Sequence, residues 1–338
     1  MAKRDNDDAL FGAMRELDLE NLDRGPKAVS TGFPQLDKIL NGGLPNGKIS
    51  QFIGEPDTWK SGLNYQAMGN AQRLFPDKVA VLADTEFVIQ SQDDLDWLAS
   101  RGVITSKDRL EIIQGNTAEE IYNKLLEVSS RSDVCYIGID SLGNMEVADN
   151  VNVKRFEKND KNKTKDDRVG IFAKVTGASF KLLAGNVARN RICMVVVNQV
   201  RDNLSMYGGG AFNTPGGRAY KHNLSVSVEL YRKETIKNGD DVIGAIIKAV
   251  VKRSKIGVAG QTNEENHLHF FNKGAAMSEV YNLYNQAVDA GIIVKAGAWF
   301  KSVELDKKWQ GRDRVYAEIE ESEDLRNRLK ELIENETN

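Results

Sequence analysis

The stretch GEPDTWKSG, residues 54–62, has the spacing of a loop that binds nucleotide phosphates. Such loops follow G-x-x-x-x-G-K-[S/T] and open a helix, so that backbone N–H groups and the helix N-terminus face the phosphates. Gly54, Lys60 and Ser61 are in place, but Trp59 replaces the second glycine. In this pattern Lys60 reaches the β- and γ-phosphates and Ser61 offers its hydroxyl to Mg²⁺. The stretch is therefore a nucleotide site with a modified loop, an inactive site or a chance match.

Polar side chains with matching chemistry stand where three other apolar strands are predicted to end. Asp140 ends VCYIGID and is suited to the Mg²⁺ shell, although an aspartate at a strand end is often only a turn residue. Glu86 follows KVAVLADT and could activate an attacking water as general base. Gln199 ends ICMVVVNQ, where its amide could sense a γ-phosphate. Four such strand ends in one chain favour a nucleoside triphosphatase core.

The elements that must position these residues follow an alternating pattern. Continuous apolar strands alternate with helices, which predicts an α/β fold with a mostly parallel sheet covered by helices on both faces. Two later stretches, SVSVELYRK and GAIIKAVVKRSK, predict neighbouring antiparallel strands at one edge. Helices are predicted over residues 63–74 and over the stretch VGIFAKVTGASFKLLAGNVARN.

Three segments are expected along the chain. Residues 1–27 carry a short amphipathic helix, packed on its own domain or docked on a neighbouring subunit. Residues 28–273 form the ATPase core, and residues 274–338 form a small α/β domain with a helix, the strand pair in IIVKAGAWFKSV and a charged last helix.

Two long polar segments interrupt the core, at residues 150–168 and 202–218. Each follows a strand, and loops of this length in a compact domain are usually functional or disordered. Both leave the carboxyl ends of parallel strands, where ligands bind in open α/β sheets. Their shared position favours a functional role.

Composition sets limits on partners and location. The 338 residues are 41% hydrophobic and 28% charged, with a net charge of -3, so no global positive field attracts nucleic acid. Cys135 and Cys193 lie in apolar runs, as small core residues do. No stretch approaches the roughly 20 apolar residues of a membrane span, and the charged start is unlike a signal peptide. A soluble, cytoplasmic protein without membrane contacts is expected.

Several stretches together resemble the RecA-family recombinases, and most of all the phage recombinases of the UvsX type. They occur in the family's order between about residue 28 and residue 312, and they are STGFPQLDKILNGGLPNGKI, the phosphate loop, DTEF, IDSLGN, KLLAGN, NQVRDNLSMYGGGAFNTPGGRAYK, VVKRSKIG and AGAWF. The resemblance implies an ATP-dependent filament on single-stranded DNA that pairs homologous duplex DNA and exchanges strands. It also implies a bacterial cytoplasm, phage-encoded origin, and single-strand-binding and mediator proteins as candidate partners.

The resemblance assigns roles at the nucleotide site. Lys60, Ser61 and Asp140 are implied to hold Mg²⁺ and ATP, Glu86 to activate water, and Gln199 to couple the γ-phosphate to DNA binding. The remaining loop contacts are expected from Gly54, Glu55, Pro56, Asp57, Thr58, Trp59 and Gly62.

Two aromatic residues are candidates for the adenine. Trp97 falls where the family stacks an aromatic ring on the base, and Phe271 could cover the base from the other side. Without the resemblance, Trp97 in DDLDWLASRG would be interpreted as a helix anchor in the core, and that alternative stays open.

In this family the nucleotide lies between subunits, and Lys221, Arg253 and Lys255 match the contacts made by the neighbour. Arg253 and Lys255 alternate on a predicted strand and should share a face, where cations can stabilise charge on the phosphoryl group. The alternative is a solvated basic strand edge.

The DNA site is expected from two DNA-binding loops, at about residues 150–174 and 201–218, and from the helix after the first. The candidates in the first loop and its helix are Val169, Gly170, Lys174 and Lys181. Lys181 lies two helical turns beyond Lys174. The candidates in the second loop are Arg201, Leu204, Met206, Tyr207, Gly216 and Gly217, whose glycines would let backbone N–H groups approach phosphates.

Two other functions stay open: a hexameric helicase-like motor, and a non-hydrolysing DNA-binding scaffold in which Trp59 has silenced the loop. A residue directly before Lys60 lies at the start of the helix and is not expected to need a positive φ. The phage recombinases carry a bulky phenylalanine at this position, so Trp59 is interpreted as a mark of lineage.

Overall fold

The computed structural model describes residues 25–148, 165–199, 215–238, 240–257, 268–271 and 279–337. The predicted N-terminal helix, the first long loop up to residue 164 and residues 200–214 of the second lie outside the described residues.

The described strands are, in chain order, β1 (Ala28–Val29), β2 (Leu44–Pro45), β3 (Lys48–Gly54), β4 (Val79–Asp84), β5 (Leu110–Ile113), β6 (Val134–Asp140), β7 (Cys193–Gln199), β8 (Leu224–Asn238), β9 (Asp241–Ser254), β10 (Leu268–Phe271), β11 (Val294–Ala296), β12 (Trp299–Ser302) and β13 (Lys307–Gln310). The described helices are α1 (Pro34–Ile39), α2 (Lys60–Leu74), α3 (Gln92–Ser100), α4 (Ala118–Ser129), α5 (Lys165–Arg189), α6 (Gly217–Asn223), α7 (Glu279–Asp289), α8 (Arg312–Glu321) and α9 (Glu323–Thr337), with a 3₁₀ turn at Leu142–Asn144.

The main sheet confirms the predicted α/β fold. Its eight described strands lie in the order β10-β9-β8-β3-β7-β6-β4-β5. All pairs from β8 to β5 are parallel, and β9 and β10 add an antiparallel edge, as SVSVELYRK and GAIIKAVVKRSK indicated. The parallel strands end at one edge of the sheet, which gathers their terminal side chains.

Each face of the sheet has its own hydrophobic core. Leu82 of β4 packs in the core beneath α2, which includes Leu63 and Met68. Its neighbour on β4, Val81, points to the other face of the sheet. Val81 belongs to a second core beneath α4 and α5, which includes Phe180. Successive side chains of a strand point to opposite faces, so burial on both faces produces the continuous apolar strands seen in the sequence.

A third core consists only of residues from the C-terminal part of the chain. Phe300, Trp309 and Leu329 are among its buried members. β11 and β12 form the predicted strand pair, and β13 adds a third strand that the sequence pattern did not indicate, because KKWQ is mostly polar. Among the described helices, none has the length and apolar content needed to cross a bilayer.

Candidate nucleotide site

The phosphate loop connects the carboxyl end of β3 to the start of α2, as the sequence predicts. Gly54 ends β3 where the chain passes close to β8. A Cβ at this position would stand 2.5 Å from the Leu230 carbonyl oxygen and 2.7 Å from Thr58 Oγ1, so a side chain would displace the loop. The first glycine of the pattern is thus required by close packing.

Trp59 adopts a left-handed backbone conformation, with φ 61° and ψ 23°. The expectation that this position needs no positive φ is wrong. The helix begins one residue later, at Lys60, and Trp59 is its N-cap, where the chain must turn sharply from loop to helix. Asp57 also has a positive φ, 58°. A left-handed conformation is strained for a bulky residue, typically by about 1–3 kcal/mol.

The Trp59 side chain packs against its surroundings on two sides. Its ring lies so close to Gly62 that a Cβ there would stand 3.0 Å from Cε3 of the indole. The guanidinium of Arg101 lies over the ring, 5.1 Å from its centroid, a cation–π distance. Since Arg101 is 5% exposed, this contact is largely desolvated and helps to hold the strained residue.

The Lys60 ammonium lies inside the loop. It donates hydrogen bonds to the Glu55 carbonyl oxygen and to Thr58 Oγ1, the latter at 3.2 Å. Burial lowers the pKa of Lys60 below its usual range, and the carboxylates of Asp140 and Glu86 oppose this effect. A buried cation encircled by a loop suits a polyanion such as a triphosphate.

Asp140 and Ser61 lie in contact, as the metal-site prediction requires. Ser61 Oγ donates to Asp140 Oδ1 at 3.1 Å, and Tyr65 OH donates to Asp140 Oδ2 at 2.6 Å. Burial raises the pKa of Asp140 to about 6. The two hydrogen bonds lower that pKa, whereas the nearby carboxylates of Glu86 and Asp84 add to the rise. A hydroxyl and a carboxylate oxygen are hard ligands of the kind that Mg²⁺ prefers.

Glu86 and Gln199 reach the same cavity from β4 and β7. Ser141 Oγ donates to Glu86 Oε1 at 2.9 Å, which orients the carboxylate proposed as general base. Gln199 is the last residue of β7 and is half-buried. Both positions follow from the shared edge at which parallel strands end.

One cavity of about 490 Å³ collects most of the predicted nucleotide residues. Those lining it are Pro56, Asp57, Thr58, Trp59, Lys60, Ser61, Gly62, Glu86, Trp97, Asp140 and Gln199. It is also lined by residues that sequence reasoning missed, namely Arg101, Ser141, Val197, Arg232, Val242 and Gly244. Gly54 and Glu55 contribute through the loop itself, as described above.

Trp97 lines the side of the cavity where the resemblance implies the adenine base, called the base side below, and is 40% exposed. The interpretation of Trp97 as a core anchor is therefore wrong, because the ring faces the cavity. It is carried by α3, whose first turn is held by a reciprocal cap between Ser91 and Asp94. The strand register places the backbone of Phe271 opposite Gly244, one of the cavity residues, and the Phe271 side chain lies outside the described residues.

Arg253 and Lys255 lie beside the first residues of β8 and are not among the described residues that line the cavity. Arg253 pairs with Ser227 near the start of β8, and Lys255 lies just past the end of β9 rather than on it. Lys255 Nζ donates to the backbone oxygen of His222, the neighbour of Lys221, at 2.7 Å. Burial and the charge of Arg253 lower the pKa of Lys255.

The register places these cations before the end of β3 that carries the phosphate loop. Arg253 lies opposite Ser227, which lies opposite Gln51, three residues before Gly54 and so about 10 Å back along the strand at roughly 3.3 Å per residue. None of the three cations is among the described residues that line the nucleotide cavity.

The DNA candidates are divided between described and undescribed residues. Arg201, Leu204, Met206 and Tyr207 lie outside the described residues, and so does the side chain of Val169. Gly170, Lys174 and Lys181 are exposed on α5, so both lysines are accessible from solvent.

Gly216 and Gly217 begin α6 with positive φ values of 100° and 72°. A Cβ on Gly216 would stand 2.8 Å from Tyr220, and one on Gly217 would stand 2.7 Å from Cβ of Ala173. The sequence pattern predicts phosphate contacts for these glycines. In the structure they allow the turn before α6 and the close packing of α6 on α5.

Two residues that sequence reasoning missed, one lining the cavity and one bound to Asp140, had a signal in the sequence. Arg101 follows Trp97 by four positions, and Tyr65, which binds Asp140, follows Ser61 by four. That spacing places both members of a pair on one helix face. Arg232 and Val242 had no such signal, because they come from the β8–β9 hairpin and reach the cavity only through the register of the sheet.

The fold and the site define a P-loop nucleoside triphosphatase. The model of the RecA N-terminal domain matches residues 8–275, and the chain belongs to the RecA family. Protein RecA of Lactobacillus johnsonii is 26% identical over 345 residues, covering 98% of this chain and 90% of the relative. Protein RecA of Chlorobaculum parvum is 28% identical over 308 residues, covering 91% and 82%. A solved structure of the RadB recombinase matches with a TM-score of 0.49 and 18% identity, over 72% of this chain and 95% of that one.

The chain is accordingly a RecA-type DNA recombinase and a DNA-dependent ATPase. Proteins of this family bind ATP and Mg²⁺, act on single-stranded DNA and form filaments.

The Trp59 contacts predict the effect of restoring the second glycine. Trp59→Gly should weaken ATP binding about 5-fold, since the loop loses roughly 1 kcal/mol of cation–π and packing stabilisation and gains backbone freedom. Trp59→Phe keeps a ring and should bind ATP nearly as the parent does. Calorimetric titration with a slowly hydrolysed ATP analogue measures both. Equal affinity for Trp59→Gly and parent would dismiss a role for the indole in shaping the loop.

The raised pKa of Asp140 predicts how stability depends on pH when Mg²⁺ is absent. A carboxyl whose pKa rises from 3.8 to about 6 on folding stabilises the protein below the lower value. That contribution to stability is lost as pH rises through about 6. It amounts to at most about 3 kcal/mol, at roughly 1.4 kcal/mol per pKa unit. Denaturant unfolding in EDTA at pH 5 and pH 7 should show the parent losing stability relative to Asp140→Asn. A constant difference between the two proteins would contradict the shift.

Proposed function

We propose that this chain is a recombinase of the phage UvsX type, which forms a helical filament on single-stranded DNA with Mg²⁺ and ATP and pairs it with homologous duplex. The observation that carries the proposal is the closure of the second loop beside the nucleotide cavity. Asn198 Nδ2 donates to the Pro215 carbonyl oxygen at 3.1 Å, so the segment between them leaves and returns at one point. Gln199, the next residue, lines the cavity.

This closure provides a physical connection between nucleotide and DNA. A γ-phosphate contact by Gln199 would act on the first residue of the segment that carries the DNA candidates Arg201, Leu204, Met206 and Tyr207. The far end of that segment enters α6, which packs on α5, where Lys174 and Lys181 are exposed. The described residues after the second segment thus pack on α5, the helix that follows the first segment.

The residues present fit Mg²⁺ and ATP. Ser61 and Asp140 would hold the metal, and Lys60 would contact the β- and γ-phosphates from within the loop. When bound, Mg²⁺ neutralises charge that develops on the phosphates. Glu86, held by Ser141, would accept the proton of the attacking water.

The neighbouring subunit would complete the site. Lys221, Arg253 and Lys255 lie near the start of β8, and they would contact the nucleotide of the next subunit in a filament. Trp97 and Phe271 would enclose the adenine. Single-strand-binding and mediator proteins are the proposed additional partners.

The sequence around the loop supports the phage branch. The phage recombinases that this chain resembles carry a bulky phenylalanine followed by Lys-Ser, and this chain has another bulky aromatic residue, Trp59, before Lys60 and Ser61. The strained φ of Trp59 adds weight, because a chain that tolerates this residue has the specific packing of Gly62 and Arg101 around it.

The test combines turnover, strand exchange and electron microscopy. ATP hydrolysis should rise on addition of single-stranded DNA, homologous strands should exchange, and a slowly hydrolysed ATP analogue should give helical filaments. Unwinding of duplex without exchange would instead identify a helicase-like motor. DNA binding that ignores nucleotide would identify a scaffold. Either result would overturn the proposal.

A further inference from the structure

Tyr65 holds the metal-site carboxylate from beneath the cavity. It lies one helical turn after Ser61 on α2 and is 3% exposed. Its hydroxyl donates to Asp140 Oδ2 at 2.6 Å, while Ser61 donates to Oδ1 at 3.1 Å. Both oxygens of the carboxylate are thus fixed by one face of one helix.

The ring of Tyr65 is in turn held by the base side of the cavity. The Tyr65 and Trp97 rings meet edge to face, with centroids 5.7 Å apart and planes at 82°. Such pairs contribute about 0.5–1.5 kcal/mol beyond their buried area and favour one mutual orientation. The position of the Tyr65 hydroxyl therefore depends on Trp97.

Trp97 is also connected to the phosphate loop. Arg101 lies one turn after it on the same helical face, and its guanidinium is 5.4 Å from the Trp97 ring centroid and 5.1 Å from that of Trp59. A continuous series of contacts thus runs from Trp59 through Arg101, Trp97 and Tyr65 to Asp140. It links the loop, the base side and the metal side of one site.

We propose that Tyr65 is a positioning residue that fixes Asp140 for Mg²⁺ and makes metal binding depend on the packing of Trp97. The inference rests on the proposed nucleotide site. A buried carboxylate needs donors for the oxygens that do not bind the metal, and residues in this outer layer orient the ligand. A phenol supplies one donor and a ring, so it can hold Asp140 and sense Trp97 together.

The first test measures how strongly Mg²⁺ promotes nucleotide binding. The dissociation constant of a non-hydrolysable ATP analogue is determined by calorimetry in EDTA and in Mg²⁺. The EDTA value divided by the Mg²⁺ value, called the Mg²⁺ ratio, measures how much the metal strengthens binding. Tyr65→Phe should reduce this ratio about 10-fold, the lower bound for loss of an outer-layer partner, while binding in EDTA stays near the parent value. An unchanged ratio would overturn the proposal.

Tyr122→Phe is the matched control. It also removes a buried phenol hydrogen bond, from the pair Tyr122 OH and Thr176 Oγ1 at 3.0 Å, but in the core on the other face of the sheet. If this variant lowers the ratio as much as Tyr65→Phe does, the effect is a general loss of stability, and the proposal fails.

The second test addresses the connection to Trp97 from its exposed side, where substitution disturbs folding least. Trp97→Leu should lower the Mg²⁺ ratio in the parent and leave it unchanged in the Tyr65→Phe background, because the path is already broken. Equal effects in both backgrounds would contradict coupling through Tyr65.

The ratio also separates the two proposals. A parent protein that binds no ATP analogue, or binds it without help from Mg²⁺, would overturn the proposed function itself. A parent with a clear Mg²⁺ effect that Tyr65→Phe leaves intact would overturn only the role of Tyr65.

Discussion

Replacing Lys60 by alanine is expected to abolish ATP hydrolysis and the ATP-dependent tightening of the protein on single-stranded DNA. The ammonium is the charge that the loop encloses, 7% exposed and bonded to Glu55 and Thr58. Loss of a preorganised donor to a developing phosphate charge costs about 10²- to 10³-fold in turnover. A coupled phosphate-release assay with and without DNA measures the first effect, and fluorescence anisotropy of labelled DNA measures the second.

The stability of this variant distinguishes loss of function from loss of fold. Because burial lowers the pKa of Lys60, its charge opposes folding when no nucleotide is added, and removing it should not lower the thermal unfolding temperature measured without nucleotide. Lys107→Ala removes an exposed lysine before β5 and should hydrolyse ATP like the parent. Wild-type turnover in folded Lys60→Ala would refute the assignment of the loop.

Replacing Arg253 by alanine is expected to leave ATP binding by the free subunit intact but to lower turnover in DNA-bound filaments by about 10³-fold, the lower range for an arginine supplied in trans. Arg253 lies opposite Ser227, level with a point three residues before Gly54, and it is not among the described residues that line the cavity of its own chain. Its effect should therefore appear only when subunits adjoin. Arg314→Ala, which removes an exposed arginine of α8, is the matched control.

Mixing the two variants tests the direction of the contribution. Subunits with Lys60→Ala still offer Arg253, and subunits with Arg253→Ala still bind ATP. Mixed filaments should hydrolyse ATP although each variant alone does not. If the mixture stays inactive while both proteins enter the same filaments, Arg253 does not act across the interface.

The site combines several features that oppose folding. Trp59 has a left-handed backbone, burial raises the pKa of Asp140, and burial lowers that of Lys60. Local rules of stability are commonly broken where a ligand supplies the missing interactions. A triphosphate with Mg²⁺ would offset both buried charges, so ATP and Mg²⁺ together should raise the thermal stability more than either alone.

The sequence alone predicted the core of the fold because two kinds of information were local. Continuous apolar strands alternating with helices require a parallel sheet buried on both faces, and polar residues at strand ends must meet at one edge. Sequence alone therefore predicts one site that contains Lys60, Ser61, Glu86, Asp140 and Gln199.

Only the tertiary structure decided what depends on packing between distant segments. The left-handed Trp59 is compatible with the chain because Gly62 and Arg101 accommodate its ring, and the position before Lys60 looks like ordinary helix start in the sequence. The contact of Tyr65 with both Asp140 and Trp97 arises from three elements that adjoin through the sheet order. Strand register places Arg253 opposite Ser227, outside the described lining of the cavity. Residue types and spacing determine which chemistry is available, but register and side-chain packing determine which groups share a site, because they act between segments that are far apart in the chain.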